Sequence, residues 1–202
     1  MHQSNCYIIG EKKKELTVID PGAEGKRVLS ELVKLKGELT QIINTHGHFD
    51  HLGGNRYLYE NSDRAKVMIH QKEEDYLTDP EKNFSSLLGT GDIISPAADR
   101  LLEDRDKIKV NQDIFEVILT PGHSPGGICL LCREEKIMFC GDLIFKTGIG
   151  RTDLPGGNTE VIKNSIENKI LSLEEDIVVY PGHGTETTIG DFKENVWPHI
   201  NF

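Results

Sequence analysis

The sequence predicts an α/β fold in which two β-sheets pack together with helices outside. Strand-like and helix-like segments alternate through the first third of the chain, and four strand-like segments follow one another in the second half. Strands with helices return near the end. This order of elements is typical of layered folds, in which each sheet buries one face against another layer.

In the first third, the segments NCYIIG and ELTVID predict two strands joined by the polar turn EKKK. A helix follows, with apolar residues at helical spacing, and Gly37 is expected to end it. TQIINT predicts a short buried strand, LGGNRYLYEN a short helix and AKVMIH another strand. The apolar helix positions are Val28, Leu29, Leu32, Val33 and Leu35.

Residues 71–99 show no regular pattern and contain Pro80, Gly89, Gly91 and Pro96. Long irregular inserts in compact domains are often functional. Two interpretations stay open: a loop that covers a site, or a helix followed by a solvated connection.

The second half begins with the strand-like segments DKIKV, DIFEVILT, GICLLC and EKIMFC. Ile162, Ile166 and Ile170 then recur every four residues, which predicts an amphipathic helix with Asn158 or Thr159 as its cap. DIVVYPGHG predicts a last buried strand and turn, and TTIGDFKENVW a final helix.

Length and composition indicate one globular domain over residues 1–202. The net charge of −10 argues against a general nucleic-acid binder. The chain has no apolar run of about 18 residues, so no membrane span is expected. The N-terminus lacks the pattern of a secretory signal, and a cytoplasmic location is therefore expected.

Cys129 and Cys132 form a C-x-x-C pair, which can indicate zinc or redox chemistry. They lie in the apolar segment GICLLC, and no second pair stands at zinc spacing. Residues three apart on a strand face opposite ways. We therefore interpret both as reduced cysteines of a buried strand.

The stretch IINTHGHFDHLGGN places four strong metal-ligand residues directly after an apolar run. His46 and His48 leave the same face of an extended segment, so both can reach one ion. A turn after Phe49 would direct Asp50 and His51 to a second point nearby, and a glycine between the two histidines leaves the backbone free to bend.

Three further candidates, His123, Asp142 and His183, each follow a strand-like run beside Gly or Pro. One zinc ion takes about four ligands. Seven residues supply eight bonds to two ions if one carboxylate bridges, since a neutral imidazole has one lone pair. A structural zinc site is usually closed and rich in cysteine, unlike this set. Asp20 is interpreted either as a turn former or as support for a histidine.

The segment THGHFDH resembles the T-H-x-H-x-D-H signature of the metallo-β-lactamase superfamily, and the resemblance runs from about residue 5 to the end of the chain. It implies an αββα sandwich of two mixed β-sheets flanked by helices, with the metals at one edge. It also implies two zinc ions, with iron or manganese as the alternatives. By this resemblance His46, His48 and His123 hold the first metal, Asp50, His51 and His183 hold the second, and Asp142 bridges.

With an aspartate at position 142, the seven-residue ligand set resembles that of the glyoxalase II (hydroxyacylglutathione hydrolase) branch. The resemblance implies hydrolysis of an acyl thioester, S-lactoylglutathione or a similar hydroxyacyl thioester, by a metal-bridging hydroxide. Asp50 and Asp142 are the expected catalytic residues, and Arg151 and Lys146 the expected substrate-binding residues. The family's glutathione-contacting Lys and Tyr are replaced here by the stretch GRTD, and no separate C-terminal helical substrate domain is expected.

Two other activities stay open. Persulfide dioxygenases also resemble this chain, including the GRTD segment, and use one iron held by two histidines and one aspartate. Lactone hydrolases of the same fold use a similar metal pair. In each case the expected partner is a small molecule, without nucleic acid or membrane, and the protein is expected to be a monomer or a homodimer.

Overall fold

The computed structural model describes residues 4–88 and 91–201. The chain forms two compact units. The first runs up to Leu102 and adds Lys109–Gln112, and the second comprises Glu103–Ile108 and the chain from Asp113 onward. Each unit has its own hydrophobic cluster.

The first unit is built on a mixed sheet in the order β1-β2-β3-β4-β5. β1 and β2 are antiparallel, whereas β2 to β5 run parallel. The last strand was not predicted, because its three residues are too few to show a pattern. The strands are β1 (Tyr7–Gly10), β2 (Glu15–Ile19), β3 (Glu38–Ile43), β4 (Lys66–His70) and β5 (Arg100–Leu102), and the helices are α1 (Gly25–Leu35), α2 (Phe49–Leu52) and α3 (Asn55–Glu60).

Helix α1 buries Val28 and Leu32 against the apolar cluster of this sheet, as its spacing predicts. Val33 was expected on the same stripe but is 68% exposed. The predicted end at Gly37 was also wrong in detail, since Lys36 takes the left-handed conformation. Position 37 requires glycine for another reason: a Cβ there would lie 2.6 Å from the Leu16 side chain.

The irregular segment begins with a 3₁₀ helix over Gln71–Leu77. Leu77, Asn83 and Phe84 are then buried, so the segment packs against its unit rather than forming a simple solvated connection. Gly89 lies outside the described residues.

The second mixed sheet has the order β13-β12-β9-β8-β7-β6, and its strands belong to the second unit except for the last two residues of β6. β8 is antiparallel to both β7 and β9, and β12 is parallel to β9. Therefore β7, β9 and β12 run in the same direction. The strands are β6 (Lys107–Val110), β7 (Asp113–Leu119), β8 (Ile128–Cys132), β9 (Ile137–Gly141), β12 (Val178–Pro181) and β13 (Thr187–Thr188), and β10 (Ile144–Phe145) pairs with β11 (Gly148–Ile149) in a separate hairpin.

Helix α4 (Thr159–Ser165) continues as a π-helical turn, Ile166–Ile170. Asn158 caps it, since its side chain accepts a hydrogen bond from the Val161 amide at 3.0 Å. All three predicted isoleucines are fully buried. The last helical segment, α5 (Ile189–Asp191), extends through a π-helical turn to Trp197–His199, and it begins after β13 rather than at Thr187 as predicted.

Strand β8 buries Cys129 and Cys132, and both are free thiols, as predicted. No described helix has the length and apolar character needed to cross a membrane.

Candidate metal centre

The parallel strands of the first unit bring the candidate residues to one edge of the sheet. Asp20 follows β2 directly, the segment 44–51 follows β3, and Glu73 lies three residues after β4. Because the carboxyl ends of parallel strands share one edge, these groups lie close together. Ligands of open α/β sheets bind at this edge.

The structure brings the four candidates of the histidine-rich turn together. His48 is the last extended residue, and α2 begins at Phe49, so the expected turn is one turn of helix. The His46 ring centroid lies 4.6 Å from that of His48 and 4.1 Å from that of His51. Ligand atoms of Asp50 and His51 lie within 4.8 Å of each other. The three histidines are almost completely buried.

Gly47 is needed for close packing and not for the bend that the sequence suggested. A Cβ at this position would lie 2.3 Å from the Cβ of Tyr76. Burial, reinforced by the Glu73 carboxylate, raises the pKa of Tyr76. The backbone at Gly47, between the two histidines, is therefore covered by a side chain of the irregular segment.

Asp20 supports the histidines rather than only forming a turn. Its Oδ2 lies 3.0 Å from His51 Nδ1 and accepts the Thr45 hydroxyl proton at 2.6 Å. The Thr45 oxygen lies 3.2 Å from His46 Nδ1. An ionised carboxylate only accepts, and the Thr45 proton is already donated, so both Nδ1 atoms must donate. The Nε2 atoms of His46 and His51 then carry the lone pairs that a metal needs.

The second unit brings its three candidates together for a topological reason. His123, Asp142 and His183 follow β7, β9 and β12, which end at the same edge because they run in the same direction. Asp142 Oδ2 lies 3.7 Å from His123 Nε2 and 3.5 Å from His183 Nε2. One carboxylate is thus close to two imidazoles.

Backbone contacts fix this arrangement. His123 Nδ1 lies 2.8 Å from the Arg151 carbonyl oxygen. A carbonyl only accepts, so Nδ1 donates and Nε2 keeps its lone pair. Gly150 and Gly122 allow close approaches: a Cβ on Gly150 would lie 1.9 Å from the Asp142 carbonyl oxygen, and one on Gly122 would lie 2.2 Å from the Ile162 nitrogen.

The two expected substrate-binding residues lie in different surroundings. The exposed Arg151 guanidinium forms a two-point ion pair with Asp153, with N–O distances of 2.7 and 2.8 Å. The hydrogen bond from Arg151 lowers the pKa of Asp153 to about 2. Lys146 is exposed in the turn between β10 and β11. Hydrogen bonds from Asn195 and Thr187 lower the pKa of Asp191, and the charge of Lys146 lowers it further.

Sequence reasoning missed Glu73 and the Arg151 carbonyl, which both contact the candidate groups or their backbone. A carbonyl leaves no signal in a sequence. Glu73 stands within a run of charged residues, KEED, that is typical of a solvated face.

The donor set of imidazole nitrogens and carboxylate oxygens suits zinc, iron or manganese. The profile of the family described as "Metallo-beta-lactamase superfamily" matches residues 1–183, most of the chain. The chain belongs to the metallo-β-lactamase superfamily.

Two bacterial relatives are similar to this superfamily member over most of its length. The probable metallo-hydrolase YqgX of Bacillus subtilis is 38% identical over 93% of this chain and 88% of its own. The hydroxyacylglutathione hydrolase GloC of Haemophilus influenzae is 34% identical over 96% of this chain and 91% of its own. The superfamily is one of metal-dependent hydrolases, so the chain is an enzyme of this broad class.

Solved structures confirm the predicted metallo-β-lactamase fold, with mixed sheets and flanking helices. The BLEG-1 B3 metallo-β-lactamase matches with a TM-score of 0.92 and 35% identity, covering 98% of this chain and 95% of its own. TTHA1623, described in a di-iron-bound form, matches with a TM-score of 0.84 and 30% identity, covering 96% of this chain and 94% of its own. ETHE1 from Myxococcus xanthus matches with a TM-score of 0.76 and 26% identity, covering 95% of this chain and 77% of its own. The expected single domain over residues 1–202 stays a prediction.

Proposed function

We propose that this superfamily member hydrolyses an acyl thioester, S-lactoylglutathione or a similar hydroxyacyl thioester, with two metal ions bound by the seven candidate residues. His46, His48 and His123 would hold one ion, Asp50, His51 and His183 would hold the other, and Asp142 would be shared between them. Similarity to a hydroxyacylglutathione hydrolase over most of both chains supports the substrate class. A relative in a di-iron-bound form supports a two-metal site, with zinc proposed here.

The observation that carries the proposal is the position of Asp142. One of its oxygens lies within 4 Å of the Nε2 atoms of both His123 and His183. A carboxylate can donate to two ions, whereas a neutral histidine cannot. Asp142 is thus suited to join two ions held by separate histidines.

The bound metals would supply Lewis acidity and a hydroxide at neutral pH. The residues supply the remaining functions. Asp20 and the Arg151 carbonyl keep the histidine rings oriented, Asp50 orients the attacking water, and the Arg151 and Lys146 side chains bind the thiol carrier. Arg151 has two guanidinium edges, and its pairing with Asp153 leaves donors for a substrate carboxylate.

The test is Asp142→Asn, with metal content and thioester turnover measured on the same preparation. The amide keeps the shape but loses the charge, so we expect less than two metals per chain and a fall in kcat of about 100-fold or more. The matched control is Asp176→Asn, which removes an exposed carboxylate of the same unit. Full metal content with unchanged turnover in Asp142→Asn would reject the proposal.

A second candidate is β-lactam hydrolysis, because a structure described as a B3 metallo-β-lactamase matches almost the whole chain. A panel containing lactoyl thioesters, homoserine lactones and a chromogenic cephalosporin separates these activities. We expect the highest kcat/KM for a thioester. A higher value for the cephalosporin or the lactone would replace the proposed substrate and leave the metal site intact.

The persulfide alternative differs in metal and in stoichiometry. Two zinc ions per chain and no oxygen uptake with glutathione persulfide are the expected results. One iron per chain with oxygen uptake would replace the hydrolytic proposal with an oxygenase.

A further inference from the structure

The Glu73 carboxylate is fully buried at the sheet edge where the histidine-rich turn lies. Its Oε2 accepts a hydrogen bond from the Gly47 amide at 2.5 Å. Burial of a carboxylate is costly unless hydrogen bonds compensate it. The Glu73 side chain therefore provides a buried acceptor for the N–H of the peptide group that joins His46 to Gly47.

The same irregular segment makes three more contacts with this turn. The Tyr76 side chain covers Gly47, and the Asn83 carbonyl accepts a hydrogen bond from the Phe49 amide at 3.0 Å. The Phe84 ring centroid lies 5.0 Å from that of His48. Phe84 adopts a φ of 67°, which bulky residues rarely take, so the surrounding packing holds it there.

These contacts bear on how far apart the two histidines stand. Ligand atoms of His46 and His48 lie within 4.8 Å of each other, and this separation depends on the backbone torsion angles of Gly47, which stands between them. Glycine is the residue with the widest range of backbone conformations. Because the Gly47 N–H donates to the Glu73 carboxylate, the backbone of Gly47 loses this conformational freedom. Gly47 would otherwise be the most variable residue between the two histidines.

We infer that Glu73 is a positioning residue that acts through the Gly47 amide and holds His46 and His48 at the spacing that one metal ion requires. The inference rests on the proposed function, because it takes these two histidines as ligands of the same ion. The carboxylate itself contacts the backbone and is not one of the seven proposed ligands.

The experiment compares Glu73→Gln with Glu73→Met in the full chain. Both side chains match glutamate in length, but only glutamine retains an oxygen acceptor. We expect zinc affinity, measured by competition with a chromophoric chelator, to fall about 10- to 100-fold in Glu73→Met and to stay within about threefold in Glu73→Gln. The exposed neighbour supplies the control, Glu74→Met, which should bind zinc like the wild type. Equal affinities in folded Glu73→Met and wild type, or equal losses in both Glu73 variants, would overturn the inference.

Amide hydrogen exchange of Gly47 in the metal-free wild type gives a second measurement that needs no variant. We expect strong protection, because the amide donates to a buried carboxylate before any metal binds. Exchange at the rate of an exposed amide would overturn the inference even if Glu73→Met fails to fold. A wild type that binds no zinc but protects Gly47 would instead refute the proposed function and keep the Glu73 contact.

Discussion

At the scale of single residues, Asp20 controls the proton positions of two histidines at once. It accepts from His51 directly, and it orients the Thr45 hydroxyl that accepts from His46. A metal-ligating histidine depends on such a partner for its tautomer and ring orientation. One carboxylate thus prepares two ligands that we assign to different ions.

Asp20→Asn tests this arrangement. The amide group would present N–H donors where Oδ2 now accepts, so the His51 proton loses its acceptor. The Thr45 hydroxyl, which accepts from His46, loses the oxygen that orients it. We expect zinc affinity to fall about 10- to 100-fold, as measured by chelator competition. The exposed Asp63→Asn variant is the control. An affinity equal to that of the wild type would show that the tautomers are set by other contacts.

Cysteine reactivity gives a prediction that depends on pH. Burial raises the pKa of Cys6 to about 12, with a further contribution from Asp20, and burial raises the pKa of Cys129 to about 12. Because only the thiolate reacts, we expect iodoacetamide at pH 8 to leave both unlabelled in the folded protein and to label both in urea. Mass spectrometry of peptides measures the labelling. Rapid labelling of either thiol in the folded state would contradict the raised pKa values of Cys6 and Cys129.

The raised pKa values of Cys6 and Cys129 also make the free energy of unfolding depend on pH. The folded pKa lies above the ordinary thiol value of about 8.5, so the unfolded chain loses protons first as the pH rises. The contribution of these thiols is fully present below about pH 8.5 and declines as the pH approaches 12.

At the scale of secondary structure, α4 depends on the N-cap residue Asn158, one of the two caps that the sequence predicts. Asn158 accepts from the Val161 amide, and the helix buries Ile162 and Ile166 behind it. We expect Asn158→Ala to lower the free energy of unfolding by about 1 kcal/mol, the usual cost of losing a cap. Urea unfolding measures the loss, with the exposed Asn164→Ala as the control. Equal losses in both variants would mean that the cap contributes nothing specific.

Elements with a strong local pattern were predicted, and elements that depend on distant partners were not. The isoleucine repeat predicted the amphipathic helix, and the apolar runs before Asp142 and His183 predicted β9 and β12. The three-residue β5 and the path of residues 71–88 depend on packing against β4 and the histidine-rich turn. Such contacts join residues far apart in the chain and leave no periodicity to read.

At the scale of the whole molecule, metal binding should stabilise the fold. A ligand that binds only the folded state adds RT ln(1 + [L]/Kd), about 4 kcal/mol at a thousandfold excess over Kd. We expect EDTA to lower the urea midpoint of the zinc-loaded wild type clearly, and that of Asp142→Asn much less. Identical midpoints with and without EDTA in the wild type would argue against tight metal binding by the folded chain.

The candidate ligands themselves were visible in the sequence. His123, Asp142 and His183 each stand just after an apolar run, beside Gly or Pro, and the other four candidates lie within six residues of one turn. Their supports were less visible. The sequence around Asp20 fitted either a turn former or a support for a histidine. The sequence did not indicate a role for Glu73, since nothing local distinguishes it from its exposed neighbour Glu74. The difference between them is burial, which only the folded chain defines.

The hydrogen bond between His123 and the Arg151 carbonyl separates two tasks at one position. The backbone of residue 151 orients a histidine, while its side chain faces Asp153 at the exposed surface. A library that randomises positions 151 and 153 together therefore changes exposed side chains and leaves the backbone contact with His123 available. Variants that keep the local backbone path should retain the orientation of His123, so sequence drift at these two positions need not disturb this candidate ligand.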